Sequence, residues 1–458
     1  PQDKYQGEFA SQVVESLRSI PSISLVMEMD DLFGETDGIY THSTQSGAAW
    51  ERPTSVELID PGGGEEFQID AGVRIQGDNV RNLSNSKKQS FRLEFREQYG
   101  PTKLRSPLFG NDAADSFDTI ILRGQYNDGW VHTPSSTQYI RDEWARSTQL
   151  AMGHASAHGR FMHVYLNGFY WGVYNVVERP EASFSATYDG GDKEQWDTLN
   201  TGQIRSGTID AWRDLRSLAR DVNTSNQATS NAALLRLCGK NPDGTNSPDW
   251  EVLLDLDNYI DYLILNFYGG NVDWPGRNYY AGRRRGPEST GFKFYAWDTE
   301  KILDHGEGSH LHTNRTGVRE GAAQAYNFLL ANDEFRLMFA DHVQRHFSEG
   351  GVFFVDPNQP EWDPDHPERN EPAARYAELA EQVELALIGE SARWGDTQSA
   401  STRNDGRTYT LRDWRAKRDH LMANYFPRRS EIVLSQLVRA DLYPSVAAPT
   451  FSQHGGHV

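Results

Sequence analysis

The stretch from Leu256 to Asp298 constrains this chain more than any other. Apolar side chains at Leu256, Tyr259, Ile260, Leu263, Ile264 and Phe267 recur at helical spacing, which predicts one apolar helix face. Gly269-Gly270 ends that helix. Asp273 and Asn278 follow in a turn rich in Asn, Gly and Pro, and a short hairpin-like stretch then leads to Asp298 in Trp297-Asp298-Thr299-Glu300. Such a run has a purpose if the fold returns these oxygen-bearing side chains to one place. Hard oxygens of this kind suit Mg²⁺ beside phosphates, and a further carboxylate can orient an attacking hydroxyl. A surface turn followed by a strand-end Asp has the same composition. The rest of the chain has to decide between the two.

Upstream, Phe91, Leu93 and Phe95 alternate with Arg92, Glu94 and Arg96, the period of a half-buried strand. Lys87 and Lys88 stand at its entrance, after a polar loop over Gly77–Ser86. A second strand is expected over Phe117–Leu122 and a helix from about Ser135 to Met152. Arg160–Leu166 and Tyr170–Val177 flank Asn167-Gly168, a strong hairpin signal. Beyond Pro180 the reading is mainly helical, with helices over 211–222, 231–237, 322–349, 373–391 and 410–437 and a loop over 355–372. Residues 1–70 read as an N-terminal extension packing on a strand-rich N-lobe at 71–180, followed by a helical C-lobe at 181–440 and a tail at 441–458. The fold class expected is α+β.

Composition removes several function classes. A formal net charge of −20 argues against nucleic-acid binding, which needs concentrated Lys and Arg, and against anionic membrane surfaces. No run approaches the roughly 18 apolar residues of a membrane span. Cys238 is the single cysteine, so neither an internal disulfide nor a cysteine-based zinc site can form. The chain starts at Pro1 without an initiator Met, consistent with an upstream segment removed or left out, and a secreted or cell-surface place in a bacterium is the expectation. His305, His310 and His312, near Asp304 and Glu307, lack a helical metal-binding arrangement and read as a solvated polar loop.

Protein kinases space a catalytic Asp and a metal-binding Asn as Asp273 and Asn278 are spaced here, with a second metal-binding Asp after a following hairpin. The chain resembles the CotH kinase family, an atypical protein-kinase fold, in Lys88-Gln89-Ser90-Phe91-Arg92-Leu93, in Tyr165-Leu166-Asn167-Gly168-Phe169-Tyr170-Trp171-Gly172-Val173-Tyr174, in Val177-Glu178-Arg179, in Asn271-Val272-Asp273 and in Trp297-Asp298. Leu122-Arg123 and Ile140-Arg141-Asp142-Glu143 are smaller echoes in the same order. The resemblance implies a bilobal fold, ATP with Mg²⁺ or Mn²⁺, and a protein substrate, the chain itself included.

Carried over residue by residue, Lys88 is the expected nucleotide lysine, with Lys87 as competitor. Its expected partner is Glu143, or Asp142, on the following helix. Glu178 is expected at a hinge. Asp273 is expected to orient the acceptor hydroxyl, Asn278 and Asp298 to hold metal, and Glu300 to serve as a further or outer ligand. The His-Arg before the catalytic Asp and the Phe-Gly after the metal Asp are absent, being Asn271-Val272 and Thr299-Glu300 here. Gly77–Ser86 also has one glycine where kinase loops have three. These departures keep two alternatives open: the same fold transferring AMP or glutamylating protein carboxylates, and a non-catalytic nucleotide-binding surface-assembly module.

Overall fold

The computed structural model describes residues 7–306, 308–397 and 407–445. Its first half is built on a closed barrel of seven strands. These are β1 (Ser22–Val26), β2 (Arg52–Ile59), β3 (Phe67–Gln76), β4 (Ser90–Glu94), β7 (Thr119–Arg123), β9 (Phe169–Val177) and β8 (Gly159–Leu166), in that spatial order. Strands β5 (Leu104–Arg105) and β6 (Ser116–Phe117) form a small ribbon outside it. Every barrel pairing is antiparallel except the closing one, where β1 lies parallel to β8. The alternation visible in the sequence explains the interior. Ile23, Leu25, Val56, Leu58, Val73, Ile75, Phe91, Leu93, Ile120, Leu122, Met162, Val164, Tyr174 and Val176 all turn inward into one apolar core. Arg74 and Arg92 take the outer face, both paired with Glu94 at 2.7 and 2.5 Å.

Residues 22–59 therefore supply two staves of the barrel, and the boundary expected at residue 70 falls inside β3. The Asn167-Gly168 hairpin is present, joining β8 to β9. The expected Ser135–Met152 helix is regular only over Arg141–Ala151. Before it, buried Asp128 accepts the Gln138 and Arg141 amides at 2.8 and 3.1 Å and pairs with the Arg141 guanidinium. Those bonds hold the preceding segment in an irregular path.

The second half is mainly helical and carries a four-stranded sheet in the order β11 (Gln203–Ser206), β10 (Trp196–Asn200), β12 (Tyr279–Arg284), β13 (Lys293–Ala296). Its core is centred on the helix Leu256–Gly269. Asp255 caps this helix at the Asn258 amide, and Gly270 ends it at φ 64°, a left-handed conformation that favours glycine. The sequence suggests one apolar face, but the helix is buried on nearly all sides, with Asp257 the outward exception. It can be so because its polar groups are matched internally. Asn258, for example, accepts from the Phe294 amide at 2.6 Å and donates to the Phe294 carbonyl at 3.3 Å. A smaller cluster of Ile121, Val177, Phe184, Tyr280, Tyr295 and Trp297 joins the barrel's outer face to the sheet. The expected helices appear at Asp210–Val222, Gln227–Leu237, Leu411–His420 and Phe426–Arg439, while 322–349 is divided into Gln324–Leu329 and Asp333–Phe347 and 373–391 into Glu371–Glu384 and Leu387–Trp394. Residues 355–366 are irregular, and the end of the expected tail, 446–458, lies outside the described residues. Among the described residues no helix is long and apolar enough to cross a membrane.

Candidate active site

The buried helix delivers Asp273, β12 begins directly after Asn278, and β13 ends just before Asp298. Pairing of β12 with β13 (Tyr279 opposite Ala296) brings the two ends together. Asn278 then bridges them, its Nδ2 donating to Asp273 Oδ2 at 3.3 Å and to the Asp298 carbonyl at 3.2 Å. Asn278 and Asp298 adopt positive φ of 63° and 57°, a conformation uncommon outside glycine that fixes the aim of both side chains. The Asn271 side chain accepts the Asp273 amide at 3.2 Å, and Lys301 lies 3.3 Å from Asp273 Oδ2. Asp273, Asn278 and Asp298 are all partly open to solvent.

Arg123, at the end of β7, reaches this set from the barrel. Its Nη2 donates to Asp298 Oδ1 at 2.6 Å and to Glu300 Oε1 at 2.9 Å, its Nε lies 3.2 Å from Asp142 Oδ2, and its guanidinium sits 5.1 Å over the Trp297 ring. Burial works against its charge, but Asp142, Asp298 and Glu300 outweigh that and raise its pKa further. Asp142 in turn accepts the Thr299 amide and hydroxyl at 2.8 Å each and pairs with Arg146. Burial opposes ionisation of Asp142, yet Arg146 and Arg123 hold its carboxyl down to about 2. Strand, helix and acidic loop are thus tied through one guanidinium.

Lys88 takes a different place from the one the sequence suggests. Its side chain is 0% exposed, and Nζ donates to Glu390 Oε1 at 2.7 Å and to the Val173 carbonyl at 2.6 Å. Its partner is thus Glu390, on the helix Leu387–Trp394, and not Glu143 or Asp142. Glu390 further accepts from the Tyr139 hydroxyl at 2.9 Å and the Val173 amide at 2.7 Å. Burial lowers the Lys88 pKa against the pull of Glu390. Glu143 is occupied by Arg146 and by Asn175 Nδ2 at 3.0 Å. Nothing local in the sequence announces a partner 302 positions away.

Glu300 spends both oxygens on protein donors, Oε1 on Arg123 and Oε2 on the Asn127 and Asp128 amides at 2.5 and 3.4 Å. Burial and the nearby Asp298 charge push its carboxyl up to about 7. Glu178 is buried, accepting from the His158 amide at 2.9 Å and the Tyr188 hydroxyl at 2.8 Å, while its own amide donates to the His158 carbonyl at 3.1 Å. It lines a cavity of about 720 Å³ between the barrel's outer face and residues 182–207. Asp273, Asn278 and Asp298 do not line that cavity. Arg179 also lines the cavity, donating to Gln76 and to the Tyr280 hydroxyl at 3.2 Å each.

His305 is buried against the Asn127 carbonyl at 2.8 Å, and the His310 amide donates to Asp304. Glu307 lies outside the described residues. Among the described residues this loop forms no metal-ligand cluster.

The sequence assigns Arg123 no role, offers Asp142 only as a partner for Lys88, and does not single out Glu390. Arg123 had a signal in the Leu122-Arg123 echo, at the end of the strand that precedes the helix carrying Asp142. No curated protein matches the chain. The family model described as CotH kinase protein matches residues 73–349, more than half of the chain, from within β3 to beyond Asp298. The chain belongs to the CotH kinase protein family.

Proposed function

We propose that this chain is an ATP-dependent phosphotransferase acting on a Ser, Thr or Tyr hydroxyl of a protein. In this reading the barrel is the upper lobe of a kinase-like pair and the helical half the lower. One observation carries it: Asn278 links the Asp273 carboxylate to the Asp298 backbone, and Arg123 reaches the Asp298 carboxylate from the barrel.

The residues fit a hard divalent cation. Asn278 uses its amide N–H₂ within the protein, which leaves Oδ1 as an acceptor, and Asp298 keeps Oδ2 beyond its bond to Arg123. Asn278 and Asp298 would hold Mg²⁺ or Mn²⁺, which when bound neutralises charge on the phosphates. Glu300, with both oxygens taken, holds Arg123 and the 127–128 backbone in place. Arg123 fills the role first given to Lys88. Its guanidinium stays charged in a buried setting and presents several donors to phosphate oxygens, which a lysine cannot do.

Asp273 accepts the proton of the acceptor hydroxyl. The oxygen attacks the γ-phosphorus, a new P–O bond forms, the bridging β–γ P–O bond breaks, and ADP leaves with the electron pair. Lys301, beside Asp273, offers a second positive charge near the transferred group. Little covalent chemistry falls to the protein, and alignment with charge neutralisation lowers the barrier.

The deciding experiment is intact-mass measurement of the full chain and candidate acceptors after incubation with ATP, metal and glutamate. A phosphate increment supports phosphoryl transfer. An AMP increment or a glutamate increment each replaces it with the corresponding reaction on the same residues. An unchanged mass for every acceptor, with no stabilisation by ATP and metal, refutes catalysis.

A further inference from the structure

Away from this site, two histidines meet a buried aspartate in the helical core. Asp261 lies on the central helix, and His342 and His346 sit one turn apart on Asp333–Phe347. His342 Nδ1 and His346 Nε2 both approach Asp261 Oδ1, at 2.6 and 2.7 Å. One ligand atom from each of the three lies within 4.8 Å of the others, and all three residues are buried.

The surrounding groups are as telling as the three themselves. His342 Nε2 faces a second carboxylate, Asp257 Oδ1, at 3.1 Å. Ionised carboxylates only accept, so both ring nitrogens of His342 need something positive between nitrogen and oxygen. Either the ring carries two protons, or a metal takes Nδ1 while Nε2–H donates to Asp257. The second arrangement is the usual carboxylate–histidine–metal relay. Asp261 is prepared in the same way, because His154 Nε2 holds its other oxygen, Oδ2, at 2.8 Å and leaves Oδ1 to the two facing rings.

We propose that Asp261, His342 and His346 form a binding site for a divalent transition metal of the zinc class, with Asp257 and His154 orienting the ligands. Two imidazoles and one carboxylate suit such an ion and give Mg²⁺ little, since Mg²⁺ prefers oxygen ligands alone. Tetrahedral geometry with bonds of ~2.0–2.1 Å sets ligand atoms roughly 3.4 Å apart, so each ring must retreat from Asp261 by about 0.7 Å. Three protein ligands leave a fourth position for water. His154 and Asp257 mark the way in, with side chains 16% and 71% exposed.

The ion would clamp the Asp333–Phe347 helix to the helix that delivers Asp273. Asp261 stands eight residues before Gly269, roughly 12 Å along the helix axis. The site is therefore a brace for the catalytic loop, separate from any metal held by Asn278 and Asp298.

The test uses untagged full-length protein, stripped with chelator, loaded with Zn²⁺ and exchanged into metal-free buffer before elemental analysis. About one equivalent is expected in the wild type and in Asp298→Ala. His346→Gln should lose it, and His154→Gln should bind about 10–100-fold more weakly. Wild type that retains no zinc, or His346→Gln that retains as much as wild type, overturns the proposal. Co²⁺ loading of the wild type gives an answer even if the variants fail to fold. Intense visible absorption from a low-coordinate nitrogen-containing site is expected, whereas weak octahedral absorption, or none, refutes the site.

Discussion

Replacing Glu390 by glutamine tests the assignment of Lys88 as an internal strut. The substitution keeps side-chain shape and removes one charge. The Lys88 ammonium, 0% exposed, would keep the Val173 carbonyl as a partner but lose its counter-charge. Glu390 Oε2 also accepts the Val173 amide, and a glutamine amide placed there would set donor against donor. Breaking a buried pair by removing one partner costs about 3–5 kcal/mol, because the remaining charge is uncompensated. Glu390→Gln should therefore lower unfolding stability by about 3 kcal/mol or more, read by urea titration of tryptophan fluorescence. Adding Lys88→Met removes the stranded charge, so the double variant should recover most of that loss. A cost below about 1 kcal/mol for Glu390→Gln, or a double variant no better than the single one, would refute the strut.

Other outcomes follow from the same geometry. Arg123→Met should abolish the rise in melting temperature caused by ATP with Mg²⁺, while Lys88→Met, at its own lower melting temperature, should retain it; the reverse pattern would return the nucleotide role to Lys88. Asp298→Ala should remove metal-dependent nucleotide binding, whereas Asp273→Ala should keep binding and lose transfer by a hundredfold or more, in the range of ~10²–10⁴ for a positioned base; full activity in Asp273→Ala would exclude its role. Burial holds His305 at about 3 and His163 at about 4, against ~6.5 in an unfolded chain. Between those values the unfolded chain binds the proton and the folded chain does not, so each histidine withdraws about 1.4 kcal/mol of stability per pH unit as pH falls below ~6.5. His305→Gln should flatten that slope between pH 6.5 and 4.5 in urea titrations, and an unchanged slope would count against a neutral buried ring.

Much of this was legible because it is local. Alternation marked Phe91–Phe95, Asn167-Gly168 marked the β8–β9 hairpin, and the spacing of Asp273, Asn278 and Asp298 is imposed by one helix and two consecutive strands. What escaped depends on distant segments. Residues 1–70, which include β2, read as an extension because barrel closure is a matter of which strands become neighbours, which periodicity does not report. Lys88 looked like a nucleotide lysine from its place at a strand entrance, but Glu390, far downstream, takes its charge. Arg123 stands in the sequence only as part of the Leu122-Arg123 echo, because the Asp142, Asp298 and Glu300 carboxylates that surround it come from distant segments. The cluster at Asp261 needs three helical neighbourhoods to assemble and gives no single-segment signal beyond His342 and His346 one turn apart.

The ring of strands also sets how far this molecule can be trimmed. The family match begins at residue 73, inside β3, so a fragment cut there would forfeit β1, β2 and most of β3. Strand β8 would lose the parallel neighbour that seals the ring, while β4 would keep its partners Val73 to Gln76. The row of amides and carbonyls along β8 that β1 had paired would then face water, an invitation to join other chains edge to edge. Shortened versions should precipitate for want of their first staves, even with every residue of the proposed catalytic set intact.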